Sequence, residues 1–113
     1  MNIDKNEIFE VHADFCKILS SSKRLMIIQL LSDKEMSVSE IAQAINIHHS
    51  NASQHLRILR SRNVIESHKE GQTVYYRLYN SRLAKVCEEI RSILLESLEK
   101  REIKVKELIK VSE

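Results

Sequence analysis

The run from Ser37 to Asn63, SVSEIAQAINIHHSNASQHLRILRSRN, constrains the fold more than any other feature of the chain. Ser37 stands three residues before Glu40, the spacing of a capping box in which each side chain satisfies a backbone donor at a helix start. Ile41, Ala42 and Ile45 then give a short helix one apolar stripe. Asn46 to His49 break the pattern. A second helix follows from about Ser50 to Arg62, with Ala52, Leu56 and Leu59 spaced to face a core and Asn51, Gln54, Arg57 and Ser61 on the opposite side. Asn63 closes it, because asparagine tolerates the left-handed conformation of a helix stop. Two short helices about a tight connection, the second polar and cationic outside, are the layout of a helix-turn-helix whose outer face suits a major groove.

The remaining composition fits one small domain over residues 1–113. The chain is 42% hydrophobic and 30% charged, so its core is thin, and a core of this size is often completed by a second subunit. With Gly 1 and Pro 0, little interrupts helices, and Gly71 must mark a turn that matters. No apolar run is long enough to span a membrane, and the opening MNIDKNEIFE is not a signal peptide, so a cytoplasmic protein is expected. Net charge is only +2, but it is uneven. From His48 to Arg82 six bases (Arg57, Arg60, Arg62, Lys69, Arg77, Arg82) face two acids (Glu66, Glu70), as expected if this segment neutralises phosphates.

The other elements follow in order. Asp4 is placed to cap a first amphipathic helix over about 5–19, carrying Ile8, Val11, Phe15, Ile18 and Leu19. One of Ser20 to Ser22 caps a second helix, in which Leu25, Ile27, Ile28, Leu30 and Leu31 occupy most of the circumference. Asp33 to Met36 read as a plain connection. Over about 64–79 the period changes to alternation, and Val64-Ile65 and TVYYRL flank Glu70-Gly71-Gln72 as a β-hairpin, a wing with a polar tip at Lys69 to Gln72. A long last helix over about 81–109 carries Leu83, Val86, Ile90, Ile93, Leu94, Leu98, Val105, Leu108 and Ile109, more apolar surface than so small a domain covers, so a second copy is the natural partner. Beyond Lys100 the stripe blurs and fraying is expected. The expected fold is mainly α with a small β-hairpin wing: four helices, the hairpin and a long final helix.

KRLMIIQLL, MSVSEIAQAINIHHSNASQHLRILRSRNVIE and KEGQTVYYRL resemble, in order, the second helix, helix-turn-helix and wing of the ArsR/SmtB family of bacterial and archaeal repressors, over about Leu19 to Leu98. The most specific parts are Ser50, Ser53, His55, Leu56, Arg57, Leu59 and Arg60 of the helix and the EGxxVYYRL wing. The resemblance implies a winged helix-turn-helix homodimer joined through its first and last helices. It implies a repressor that binds double-stranded DNA at an imperfect palindrome and is released by an inducer. It places His49, Ser50, Asn51, Ser53 and Gln54 toward the groove, His55 and Arg57 near the backbone, and Lys69 and Gln72 at the wing tip. Beside these roles, Ser50 also reads as a helix cap, His55 as a packed histidine, and Lys69 and Gln72 as a solvated turn.

The family's metal sites are not matched. Where its thiolate site has a CxC pair this chain has Ser37 and Ser39, and hydroxyls do not replace thiolates for soft ions. Where the last-helix site has acids and histidines the chain has Asn80, Arg82, Ile93 and Glu96, leaving one ligand of four. No metal or other cofactor is expected. Four histidines, His48, His49, His55 and His68, lie in the reading unit, where a metal would occupy the DNA surface. His12 and Cys16 share a helix face at i and i+4, and with Cys87 they form a partial ligand set. Cys16 and Cys87 are also redox candidates, since they sit on the first and last helices. Sulfur-sensing relatives resemble the chain in one cysteine on the last helix, but keep the other on the second helix, where this chain has none. The bland reading is buried, inert thiols. Nothing suggests an enzyme: the chain has no glycine-rich phosphate loop, HExxH or CxxC. The competing readings are a DNA binder without an inducer and a protein-binding winged-helix module.

Overall fold

The computed structural model describes residues 2–112; Met1 and Glu113, the ends of the expected domain, lie outside the described residues. Helices α1 (Glu7–Ile18), α2 (Ser22–Leu30), α3 (Val38–Ala44) and α4 (His49–Ser61) precede the hairpin strands β2 (Ile65–Glu70) and β3 (Thr73–Leu78), and helix α5 (Arg82–Ser112) ends the chain. A two-residue strand, β1 (Met36–Ser37), lies between α2 and α3 and pairs antiparallel with β3, giving the sheet order β1-β3-β2. Sequence reasoning took this segment for a connection. Two residues are too few for alternation to register, and only the partner strand makes them a strand.

The local signals explain most boundaries. Ser37 Oγ accepts from the Glu40 N–H at 3.2 Å, and Glu40 Oε1 accepts from the Ser37 N–H at 3.0 Å, closing the capping box. That backbone N–H is the main reason the Glu40 carboxyl lies below its ordinary pKa. Both helices of the pair end in the same way. Asn63 has φ +58°, with Asn63 N–H bonded to the Arg60 carbonyl and Val64 N–H to that of Leu59; Asn46 has φ +53°, with Asn46 N–H bonded to Gln43 and Ile47 N–H to Ala42. These are Schellman stops in which asparagine supplies the left-handed residue. Gly71, at φ +64°, and Gln72 make the two-residue turn of the hairpin.

Two cap assignments need correction. Asp4 does not cap α1: its Oδ1 accepts from the Asn6 N–H at 3.4 Å, two residues on, and Asn6 is the cap residue with no side-chain bond to the helix. The carboxylate is used up in a local turn before the helix begins. Ser50 does not cap α4, which starts one residue earlier behind His48, again without a side-chain cap. Of Ser20, Ser21 and Ser22 it is Ser21 whose Oγ accepts from the Arg24 N–H.

The core is a single cluster. Ile27 and Ile28 of α2, Ile41 of α3, Leu56 and Leu59 of α4 and Ile65 of β2 are fully buried, with Leu31, Met36, Val64, Leu78, Ala84 and Cys87 around them. Full burial of such side chains contributes about 1.5–3 kcal/mol each. The outer helices give little to it. No residue of α1 is buried, although Phe15, Ile18 and Leu19 lean on the core, and on α5 only Ala84 and Cys87 are buried among the described residues. Helix α5 runs on through the charged stretch beyond Lys100, where fraying was expected, to Ser112.

Leu56→Ala should lower unfolding stability by about 2–5 kcal/mol in a urea titration, since it empties the centre of the cluster. Ser37→Ala, which removes one side of the capping box, should cost about 1 kcal/mol. Equal effects from the two would contradict this placement of the core.

Candidate nucleic-acid interface

Helix α4 presents two unlike faces. Ala52, Leu56 and Leu59 are buried, while Ser50, Gln54, Arg57 and Ser61, at steps of four, three and four, are exposed in one row along the opposite side. His49 and Asn51 flank that row and are exposed; Ser53 is half-buried. Helix α3 and the Asn46 stop bring the start of α4 to the surface, so its first turns project outward.

The wing also has two faces, fixed by strand alternation and register. Ile65, Ser67 and Lys69 of β2 lie on the same side as Leu78, Tyr76 and Val74 of β3, and the burial of Ile65 and Leu78 makes this the side packed toward α4. Tyr76 lines a groove of about 270 Å³ with Ser53, Leu56, Arg57 and Arg60. The other side is acidic. Arg77 Nε bonds Glu66 Oε1 at 2.6 Å and Nη1 meets Glu35 Oε1 at 3.3 Å, while His68 Nε2 lies 3.3 Å from Glu35 Oε2 and stacks on Tyr75 with ring centroids 5.9 Å apart. The Glu66 bond is the main reason the Arg77 guanidinium is held even more firmly protonated. One of the six bases counted in this segment is therefore already neutralised. Arg57, Arg60, Arg62 and Lys69 make no ion pair among the described residues, and Lys69 and Gln72 are exposed at the wing tip.

His55 stands apart from the row. Its ring is half-buried on the flank of α4, and Nδ1 accepts a hydrogen bond from Arg24 Nε of α2 at 3.3 Å. Burial, and then the Arg24 charge, lower its pKa, so the neutral imidazole is favoured. Sequence reasoning missed Arg24 and Tyr76, and counted Arg60 among the phosphate-neutralising bases without setting it beside the wing. Arg24 is one of two adjacent cations in α2, beside Lys23, and nothing local marks which of them meets His55; the signal for Tyr76 was the alternation that sets it on one side with Val74 and Leu78.

A family model described as a helix-turn-helix domain matches residues 19–68. The nodulation protein NolR of Rhizobium meliloti is 36% identical over 73 residues, covering 65% of this chain and 60% of NolR. The transcriptional activator HlyU of Vibrio cholerae is 35% identical over 72 residues, covering 64% of this chain and 67% of HlyU. The chain thus matches about three fifths to two thirds of the length of these relatives. The solution structure of Mb0332 from Mycobacterium bovis, described as the homodimeric winged helix-turn-helix DNA-binding domain of a possible ArsR-family transcriptional regulator, superposes with a TM-score of 0.75 at 29% identity, covering 88% of this chain and 93% of that one. The chain belongs to the ArsR/SmtB family.

Two of the residues that the resemblance sets at metal positions carry other bonds here. Ser37, at one thiolate position, is buried and its hydroxyl is committed to the capping box, while Asn80, at a last-helix position, accepts from the Arg82 N–H at 3.0 Å. No group of three or more histidine, cysteine or acidic side chains among the described residues is arranged to hold an ion. The partial set His12, Cys16 and Cys87 is therefore not assembled within one chain. Both thiols are free; Cys16 is exposed and Cys87 is buried. Burial pushes the Cys87 thiol up in pKa, with Arg91 offsetting part of the effect. Because the thiolate is the reactive form, Cys87 is the slower nucleophile. Alkylation at pH 7.5 followed by intact-mass measurement should label Cys16 first, and Cys16→Ser should remove the fast phase. Faster labelling of Cys87 would contradict this ordering.

Proposed function

We propose that this ArsR/SmtB-family chain is a homodimeric transcriptional repressor that reads double-stranded DNA with α4 and the wing and is released by an inducer. The observation that carries the reading is the exposed row Ser50, Gln54, Arg57 and Ser61, held opposite the buried face of α4 and flanked by cations that make no ion pair among the described residues. In this reading His49, Ser50, Asn51, Ser53 and Gln54 meet base edges. Amide side chains such as Asn51 and Gln54 suit adenine, which offers a donor and an acceptor side by side. Arg57 and His55 lie near the phosphate backbone, joined by Arg60 and Tyr76 across the groove. Lys69 and Gln72 extend that contact at the wing tip, with the Glu35, Glu66 and Glu70 face turned away from the phosphates.

Dimerisation through α1 and α5 is supported by the unburied apolar residues of α5. Val86, Ile90, Ile93, Leu94 and Leu98 each keep more than half of their surface exposed. Phe9 of α1 is 71% exposed. Apolar surface on this scale marks an interaction site, and the relative Mb0332 is homodimeric. Two copies related by a two-fold axis present two reading helices, which calls for an imperfect palindrome. No helix among the described residues is long and apolar enough to cross a membrane, and we place the regulator in the cytoplasm, with its DNA. For the inducer, Cys16 is the thiol an oxidant or reactive sulfur species meets first, with Cys87 held in reserve by burial.

The test is fluorescence anisotropy of a duplex from the protein's own promoter against an unrelated duplex. Specific binding should be tighter by about 10³-fold or more, and equal binding to both would contradict sequence-specific reading. Arg57→Ala should cost roughly 1–3 kcal/mol of affinity and reduce the salt slope by about 1, with an unchanged slope counting against Arg57 as a phosphate contact. Ile90→Asp should give a monomer on a sizing column that binds the palindrome poorly; a monodisperse dimer would place the interface elsewhere.

A further inference from the structure

We infer that Arg24 is the positioning residue of the reading helix: one guanidinium ties the end of α1 to His55 on α4 and so sets the angle at which α4 meets DNA. The inference rests on the DNA-reading function proposed above.

Three observations carry it. Arg24 Nη1 donates to the Ile18 carbonyl at 2.8 Å, and Nε donates to His55 Nδ1 at 3.3 Å. Ile18 is the last residue of α1, so its carbonyl is one of the helix-end acceptors that lack an intrahelical donor. Arg24 itself is fixed, since its backbone N–H is bonded to Ser21 Oγ at the start of α2. Three helices thus meet at one side chain, two of them held through the fork geometry that arginine has and lysine lacks.

The link to α1 matters because α1 has few other ties. It buries no residue, and only Phe15, Ile18 and the following Leu19 pack against the core. If α1 is a dimerisation helix, its end is where the placement of one subunit on the other reaches the reading head. Arg24 then passes that placement to α4 through a hydrogen bond, not through loose apolar packing.

The bond also settles the chemistry of His55. A nitrogen that accepts from a guanidinium carries no proton, so the neutral ring holds its proton on Nε2, facing away from Arg24. Protonation of Nδ1 removes the acceptor and sets two cations side by side. Arg24 is the charge that bears on the ring from α2; the neighbours one turn away on α4, Asn51, Ala52, Ile58 and Leu59, do not titrate, and α1 contributes the Ile18 carbonyl to Arg24. Burial and Arg24 both lower the histidine's pKa. The clamp is therefore intact at and above the ordinary histidine value of 6.5 and is lost as pH falls through a lower value.

The experiment uses the full-length chain and four variants: Arg24→Gln, Arg24→Lys, His55→Phe and His55→Gln. Operator affinity is measured by anisotropy from pH 7.5 downward, oligomeric state by sizing, and the His55 tautomer by nitrogen-15 NMR. Arg24→Gln and His55→Phe should bind about tenfold more weakly, the order expected for losing one charge-assisted hydrogen bond, while keeping the wild-type oligomeric state. Arg24→Lys should not restore binding. His55→Gln supplies an acceptor that cannot be protonated, so it should bind more tightly than His55→Phe and lack the acid fall-off that the wild type shows relative to it. The wild-type ring should carry its proton on Nε2. Wild-type affinity in folded Arg24→Gln and His55→Phe, or a ring protonated on Nδ1 at pH 7.5, overturns the assignment while leaving the DNA-reading function intact. Absence of specific binding by the wild type overturns both.

Discussion

The structure depends on one packing arrangement, the seating of Ala52, Leu56 and Leu59 of α4 in the cluster formed by Ile27 and Ile28 of α2, Ile41 of α3 and Ile65 of β2. The other face of α4 is exposed. It is free to carry hydrogen-bonding and cationic groups, because the buried face and the Arg24 bond to His55 on its flank hold the helix. The same cluster anchors β2 and β3, so helix and wing share one foundation and hold a fixed relation. Outer elements that lack such anchoring, α1 and most of α5, leave apolar residues exposed.

Charge is arranged as economically as packing. The hairpin is too thin to have an interior, and alternation sends adjacent residues to opposite sides. Glu66 and Glu70 go to one side with Arg77, and Lys69 goes to the other with Tyr76. A modest net charge of +2 therefore hides a directional surface, in which Arg57, Arg60, Arg62 and Lys69 make no ion pair among the described residues and the acids are grouped on the far face of the wing. Direction matters more than total charge when the ligand is a polyanion.

How legible all this was from sequence follows from the range of each signal. The capping box at Ser37 and Glu40, the asparagine stop at Asn63 and the glycine turn at Gly71 are local, and the structure has them where the residues place them. The apolar face of α4 was legible because three residues at helical spacing suffice to define it. The same stop at Asn46 went unread, although its residue and spacing repeat those of Asn63. Strand β1 and the Arg24 bond to His55 were out of reach for a different reason: each joins segments far apart in the chain, and no local period encodes which distant partner a residue meets. Asp4 and Ser50 failed as caps because a capping residue type is common, and the turn before the helix decides which residue is used.

The central claim is that the outer face of α4 and the α4 side of the wing are the surface that meets DNA. Amide shift mapping of the nitrogen-15-labelled protein on addition of a promoter duplex tests it most directly. The account predicts the largest changes over His49 to Arg60 and at Lys69 to Gln72, with Glu35 and Glu66 little affected. Changes concentrated on that acidic face or along α5, with α4 unmoved, would contradict it.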